Sequence, residues 1–412
     1  MPYNGKITPV QMAFLLHPTI VATALLLVPA MTERHAGRDM WLSPLWALMA
    51  GFATLLTAWA LHKRFPDDTP IEYSERLVGK TAGKIIGVLF IFFYWHGSGS
   101  LLREYGEFVS GTFLMETPTE VIMGGMLIIA AYAVRGGIEV LGRCAQIMVP
   151  VVVVLFMTLI LLVSRNLDPY KLLPMLEFGI LPSLKGSIVP QSWFSEIIAA
   201  AFLLPSLTDR SKGLRWGVIT LLFVAVILSL TNLTVLMLFG ELAGRLVYPV
   251  MSAARYIEIA DFLEHLEAIV MAIWVFGTFI KIVVFYFLLV QCTARVIGLS
   301  DWRQIVLPVG LLILISGTAS GRRPICSSWS TRSARPSCSS FCSSSSAFRS
   351  CCSRLLSSGE KRERRRRQNE QLNLPVPRMA PGALPRPDEP VPCRMLGQDG
   401  SERPGSGDRG GD

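Results

Sequence analysis

AIVMAIWVFGTFIKIVVFYFLLV, residues 268–290, is a run of 23 residues with one charge, Lys281. As a helix it would extend about 34 Å, enough to cross a hydrocarbon core of about 30 Å. Seven further runs of this kind lie before it: Val10–Ala30, Trp41–Leu61, Ile85–Leu102, Pro118–Val134, Ala145–Val163, Ser187–Leu207 and Leu214–Phe239. Together they predict an all-α, multi-pass membrane bundle. The composition agrees: 17% charged residues and a mean hydropathy of +0.46 set the chain apart from soluble domains, which carry about 25% charged residues.

The ends of the runs carry the topology. With the N-terminus inside, about 13 Lys and Arg fall in the inner segments and about 8 in the outer loops, a bias that favours a cytoplasmic N-terminus. The first run is long and no cleavage pattern precedes it, so it is expected to remain as a span. A ninth run begins near Gln304 and is expected to stop at Ser316-Gly317-Thr318, leaving about 21 Å of helix.

From Thr318 the text changes. Residues 318–412 hold about 17 Lys and Arg against 9 Asp and Glu, so most of the net charge of +9 sits there. This removes the usual reason to link a basic chain with nucleic acid. Six of the eight cysteines lie there too; only Cys144 and Cys292 precede it, and no disulfide framework is visible. The sequence therefore divides into a membrane domain, 1–317, and a basic Ser/Arg/Cys/Pro-rich tail, 318–412, expected to be disordered. Leucine codons read one frame away yield Cys-Ser-Ser, so the tail is expected to be the product of a frameshift that removed the last span or spans. Resequencing the DNA checks this.

Charged and polar groups inside spans mark function, because hydrocarbon penalises them. Glu196 sits in the sixth run between Pro190 and Pro205, and Lys281 lies at the middle of the eighth. A ligand amine, a proton or a mutual ion pair would each satisfy Glu196. In the first run, Pro18 removes a helical hydrogen bond, and Thr19, Val21, Ala22 and Thr23 follow it. Such a segment can unwind and present N–H groups to a carboxylate. Tyr94 and His96 in the third run, Trp193 in the sixth, and Trp274 and Thr278 in the eighth are further candidates for the walls of a pocket. No nucleophile elbow, HExxH or zinc spacing occurs, so no catalytic residues, metal or cofactor are expected. Val78-Gly79-Lys80-Thr81 lacks both the earlier glycine of a phosphate loop and a preceding strand.

The longest distinctive text, YPVMSAARYIEIADFLEHLEAIVMAIWVFGTFIKIVVFYFLLVQ (Tyr248–Gln291), resembles the B subunits of bacterial spore germinant receptors, the endospore germination permeases. In that family an amphipathic segment precedes a span of this character. ITPVQMAFLLHPTIVATALLLVPA with HAGRDMWLSPL, and SWFSEIIAAAFLLP (Ser192–Pro205), are similar as well, and the resemblance covers about residues 5–317. It implies the amino acid–polyamine–organocation fold, with inverted five-helix repeats whose first and sixth helices are broken. It implies a nutrient-germinant sensor in the inner membrane of the spore, binding a small molecule such as an amino acid. Partners would be A-type and C-type receptor subunits and the lipid bilayer, with no nucleic acid. A proton-coupled amino acid transporter on the same scaffold, or a truncated remnant without function, remain as alternatives. Arg255, Glu258, Asp261, Glu264 and Glu267 recur at helical spacing, as on a helix lying at the membrane surface.

Overall fold

The run at 268–290 lies inside a 31-residue helix, and each of the other apolar runs is helical as well. The computed structural model describes residues 5–256 and 267–320. In chain order the helices are α1 (Pro9–Ala36), α2 (Ser43–Arg64), α3 (Pro70–Val78), α4 (Lys80–Thr112), α5 (Thr119–Arg135), α6 (Ile138–Val163), α7 (Leu181–Gly186), α8 (Ile188–Ser195), α9 (Ala199–Leu203), α10 (Gly213–Phe239), α11 (Pro249–Tyr256), α12 (Glu267–Ile297) and α13 (Val306–Ser320). Among the described residues there is no strand, only an isolated bridge between Ile7 and Leu207. Among the described residues, seven helical stretches are long and apolar enough to cross a bilayer: 9–64, 80–112, 138–166, 188–206, 210–245, 267–297 and 302–319; the predicted run Pro118–Val134 forms the shorter α5 and is not among them. The first of these comprises α1 and α2, joined by a 3-10 turn at Gly37–Leu42. The protein is a multi-pass α-helical membrane protein.

The helix ends follow local chemistry. Thr8 caps α1: its hydroxyl accepts from Gln11 N–H while the Gln11 side chain accepts from Thr8 N–H, and Pro9 takes the first helical position. The helix stops at Gly37, whose φ of +54° suits glycine. Thr69 and Glu72 form the same reciprocal cap on α3.

α1 and α12 make the centre of the bundle. Residues 277–292 of α12 are buried without a break, as expected of a helix apolar on every face. α1 is buried from Leu15 through Leu26. The two helices approach closely where Gly277 faces Ala22: a Cβ added to Gly277 would stand 3.4 Å from that of Ala22. Asn232 of α10 ties the far end of α1 to the turn that follows it, donating to Thr32 Oγ1 (3.2 Å) and to the Met40 carbonyl (2.8 Å).

Two sequence expectations are corrected. The first helix is not broken; α1 runs unbroken through Pro18 and Pro29. It is enclosed by other helices, so backbone groups freed by unwinding would have no water to meet. The sixth stretch, by contrast, is interrupted by 3-10 turns at Glu196–Ile198 and Leu204–Ser206. The second correction concerns the ninth run, which does not stop at Ser316-Gly317. α13 continues to Ser320 because these small residues are its contact with α4. A Cβ on Gly99 would collide with the Ser316 side chain, and one on Gly317 would stand 3.1 Å from the Gly99 carbonyl oxygen. Close small-residue crossings of this kind are common between membrane helices. The tail from 321 onward, with the frameshift expected there, lies outside the described residues, as do Glu258, Asp261 and Glu264. Of that charged face, Arg255 pairs with Glu267 at 3.0 Å.

Candidate functional site

The break in the sixth stretch has a local cause. Ser195 Oγ donates to the carbonyls of Gln191 and Ser192, both at 2.8 Å, so a side chain competes for the helix's own acceptors just before Glu196. The helix tightens into a 3-10 turn there, and Glu196 is its first residue.

Opposite it stands Lys281 of α12. Its ammonium lies 2.8 Å from Glu196 Oε2 and donates to Thr23 Oγ1 of α1 at 2.9 Å. The Phe285 ring lies 5.6 Å from Nζ, within cation–π range. Thr23 also accepts from Trp193 Nε1 at 2.9 Å. Three separate elements are thus joined through one ammonium and one hydroxyl. The Lys281 side chain is 4% exposed and that of Glu196 18%. A buried pair of this type gains its Coulomb energy in a low dielectric but bears a desolvation cost of similar size. It therefore specifies position more than it adds stability.

The residues singled out in the sequence divide as follows. Thr23, Trp193, Glu196 and Lys281 meet directly. Thr278 lies one helical turn from Lys281, fully buried, and its hydroxyl has no hydrogen-bond partner among the described residues. The same holds for Trp274 Nε1, a further turn along. Ala22 forms the close contact with Gly277, and Thr19 spends its hydroxyl on the Leu16 carbonyl of its own helix (2.5 Å). Val21 is a buried packing residue of α1. Tyr94 packs edge-on against Phe202 and Phe285, one shell behind Lys281. His96 stacks on Phe92 of its own helix and is not part of the cluster.

Glu104 is the residue that sequence reasoning missed. α4 and α12 run antiparallel, since Gly97 abuts Phe285 and Phe108 abuts Trp274. The two contacts are eleven residues apart on either helix, which sets Glu104 level with Thr278. Glu104 lies within electrostatic reach of Lys281 and Glu196 and has no ion-pair partner among the described residues, whereas Glu107 pairs with Arg103 at 2.6 Å. The signal was present in the spacing Gly97–Leu101–Glu104–Phe108, but it fell two residues past the predicted end of the third run at Leu102. Two carboxylates, each partly buried, and one buried ammonium share this region, an imbalance that a proton or a ligand cation would relieve.

Two open cavities lie elsewhere. One of about 760 Å³ is bounded by the 67–80 segment, the N-terminal residues and the end of the sixth stretch. The other, about 340 Å³, lies between α2, Tyr73 and Ile198. Neither is lined by Lys281 or Glu196.

These features define a polytopic α-helical membrane protein with an ion pair set inside its bundle beside an interrupted helix. Within that class the assignment is specific: the spore germination protein family profile matches residues 6–322, and the chain belongs to this family. Spore germination protein KB of Bacillus subtilis (strain 168) is 27% identical over 300 residues, covering 72% of this chain and 80% of that protein. Spore germination protein YndE of the same organism is 28% identical over 289 residues, 67% and 78% of the two chains. Spore germination protein XB of Bacillus anthracis is 24% identical over 277 residues, 67% and 77%.

Proposed function

We propose that the protein is the nutrient-sensing subunit of a spore germinant receptor, and that it binds a small molecule bearing an amine, such as an amino acid, at the Lys281 cluster. The observation that carries this reading is the meeting of Thr23, Trp193, Glu196 and Lys281 from three elements around one buried ammonium. Thr278 and Trp274 supply further polar atoms with unused hydrogen-bonding capacity on α12, and Glu104 supplies a further carboxylate from α4. A ligand ammonium would take up the excess carboxylate, and a ligand carboxylate would draw on Lys281, Thr278 or Trp274. Binding acts on conformation only through a difference in affinity between two states. The interrupted sixth stretch is the element best placed to differ between them.

Family membership supports a place in the spore inner membrane with A-type and C-type subunits as partners, and the Lys/Arg bias supports a cytoplasmic N-terminus. Thermal stabilisation of the purified protein against amino acids, sugars and nucleosides tests the reading. A ligand at 100 times its dissociation constant adds about 2.7 kcal/mol. The expected result is a shift with amine-bearing ligands that is lost in Glu196→Gln. A folded protein that no amine-bearing ligand stabilises overturns it. A second reading, a proton-coupled transporter, is favoured by the surplus carboxylate at Glu104. Amino acid flux in proteoliposomes, driven by a proton gradient and lost in Glu104→Gln, would select it.

A further inference from the structure

The sixth stretch has a second set of ties, at its other end. Residues 199–203 form one short helical piece between two 3-10 turns, with Glu196 at the head and Pro205 and Ser206 at the foot. The foot is held by the N-terminal segment. Ile7 N–H donates to the Ser206 carbonyl and Thr208 N–H to the Ile7 carbonyl, both at 3.0 Å, which makes the isolated bridge of Ile7 with Leu207. Ile7 is fully buried, and Lys6 N–H donates to Glu139 of α6 at 3.1 Å. Arg210 completes the hold: it pairs with Asp67 at 2.8 Å and donates to the Pro205 carbonyl at 3.3 Å.

On one side these ties border space; on the other, Ile7 and Leu207 are packed in the core. The cavity of about 760 Å³ is lined by Lys6, Asp68, Arg76, Ser206 and Arg210. Ser206 is 2% exposed, and its hydroxyl, on the cavity wall, has no partner among the described residues. On its cavity side, at Pro205 and Ser206, the foot therefore has volume to move into. The contacts that oppose such movement are a pair of backbone hydrogen bonds, the packing of Ile7 and Leu207, the bond from Arg210 to the Pro205 carbonyl, and one ion pair with side chains 40% and 79% exposed. Exposed pairs of this kind are weak. Glu196 and Pro205 are nine positions apart, about 14 Å along a helix, so a change at the head is passed along a short piece to the foot.

We propose that residues 5–8 and the Arg210–Asp67 pair form a latch on the foot of the sixth stretch, and that its release is the conformational change by which the Glu196 end acts on the rest of the bundle. The latch goes beyond ligand binding and is testable without a ligand. Two variants set its state. Ile7→Cys with Leu207→Cys, in a chain whose other cysteines are replaced, locks it on oxidation and frees it on reduction. Asp67→Ala with Arg210→Ala weakens it at exposed positions where folding is not at risk.

Amide exchange of residues 197–204 in the purified, ligand-free protein is the readout. About tenfold faster exchange is expected in the weakened variant, and slower exchange in the oxidised than in the reduced locked variant. Equal exchange in all forms, or changes confined to 5–8 and 205–210, overturns the latch. In spores, the oxidised variant is expected to fail to germinate and to recover on reduction. Germination at the normal rate with the bridge intact overturns the claim that release is needed. If spores with the unaltered protein respond to no nutrient, the receptor reading fails, and the exchange experiment still decides the latch.

Discussion

α1 and the sixth stretch look alike as text and differ as structures. Both are apolar, and both carry prolines and small residues. Yet α1 is one helix of 28 residues with two internal prolines, while 188–206 is divided among α8, α9 and two 3-10 turns. Proline costs α1 single hydrogen bonds, and its surroundings keep the rest of the backbone dry and paired. In the sixth stretch, Ser195 draws on the helix's own carbonyls and Glu196 is held by Lys281 from across the bundle. The first interruption falls where a side chain competes for the helix's acceptors and a partner across the bundle holds Glu196, and the second falls at Pro205; proline alone does not break a helix, as Pro18 and Pro29 show.

The comparison can be broken most severely at Lys281. Lys281→Met leaves Glu196 buried without its countercharge and is expected to cost about 3–5 kcal/mol in unfolding free energy. Adding Glu196→Gln should return most of that loss, because the cost lies in the uncompensated carboxylate. A single variant as stable as the parent in a denaturation series would mean that the pair does not hold the broken helix. Methylammonium should restore part of the melting temperature of Lys281→Ala but not of the parent.

A smaller effect is expected from Thr23→Val, which takes the shared hydroxyl from Trp193 and Lys281. The loss should be about 1–3 kcal/mol, read as a lower melting temperature. Pro18→Ala sharpens the contrast from the other side. If α1 works as an unbroken helix, the regained N–H should raise stability by up to about 1 kcal/mol; a loss would show that the proline serves another conformation. The weakest effect belongs to Asp209, at the foot of the sixth stretch. The hydrogen bonds from Lys212 and then Ser211 hold its carboxyl below the usual carboxylate range. Its contribution is therefore constant from neutral pH down to its unfolded value near 4 and is lost only below that. Melting curves at pH 7 and pH 5 should not separate Asp209→Ala from the parent by different amounts.

Much of this was legible in the sequence. Each apolar run is a helix, Glu196 and Lys281 stood out as charges inside spans, and the text at Tyr248–Gln291 led to the family that the profile confirms. What failed did so for identifiable reasons. Ser316-Gly317 reads as a stop signal but is a contact with Gly99, which only the neighbouring helix reveals. Pro18 reads as a break, but enclosure overrides it. Glu104 read as the edge of a loop, because α4 extends to Thr112, well past the apolar run. His96 was selected for its chemistry, and its ring turns to Phe92 instead.

The amino-acid sequence determined by itself that this chain is a membrane bundle and where its apolar helices lie, because a bilayer of about 30 Å imposes a length and a polarity that any run either meets or fails. Tertiary structure alone decided which polar groups meet. Thr23 is 170 residues from Trp193 and 258 from Lys281, and local periodicity carries no information about pairing over such separations. The packing of α1, α4 and α12 about the interrupted stretch brings them within hydrogen-bond range. There, the low dielectric makes each unpaired charge costly enough to fix the arrangement.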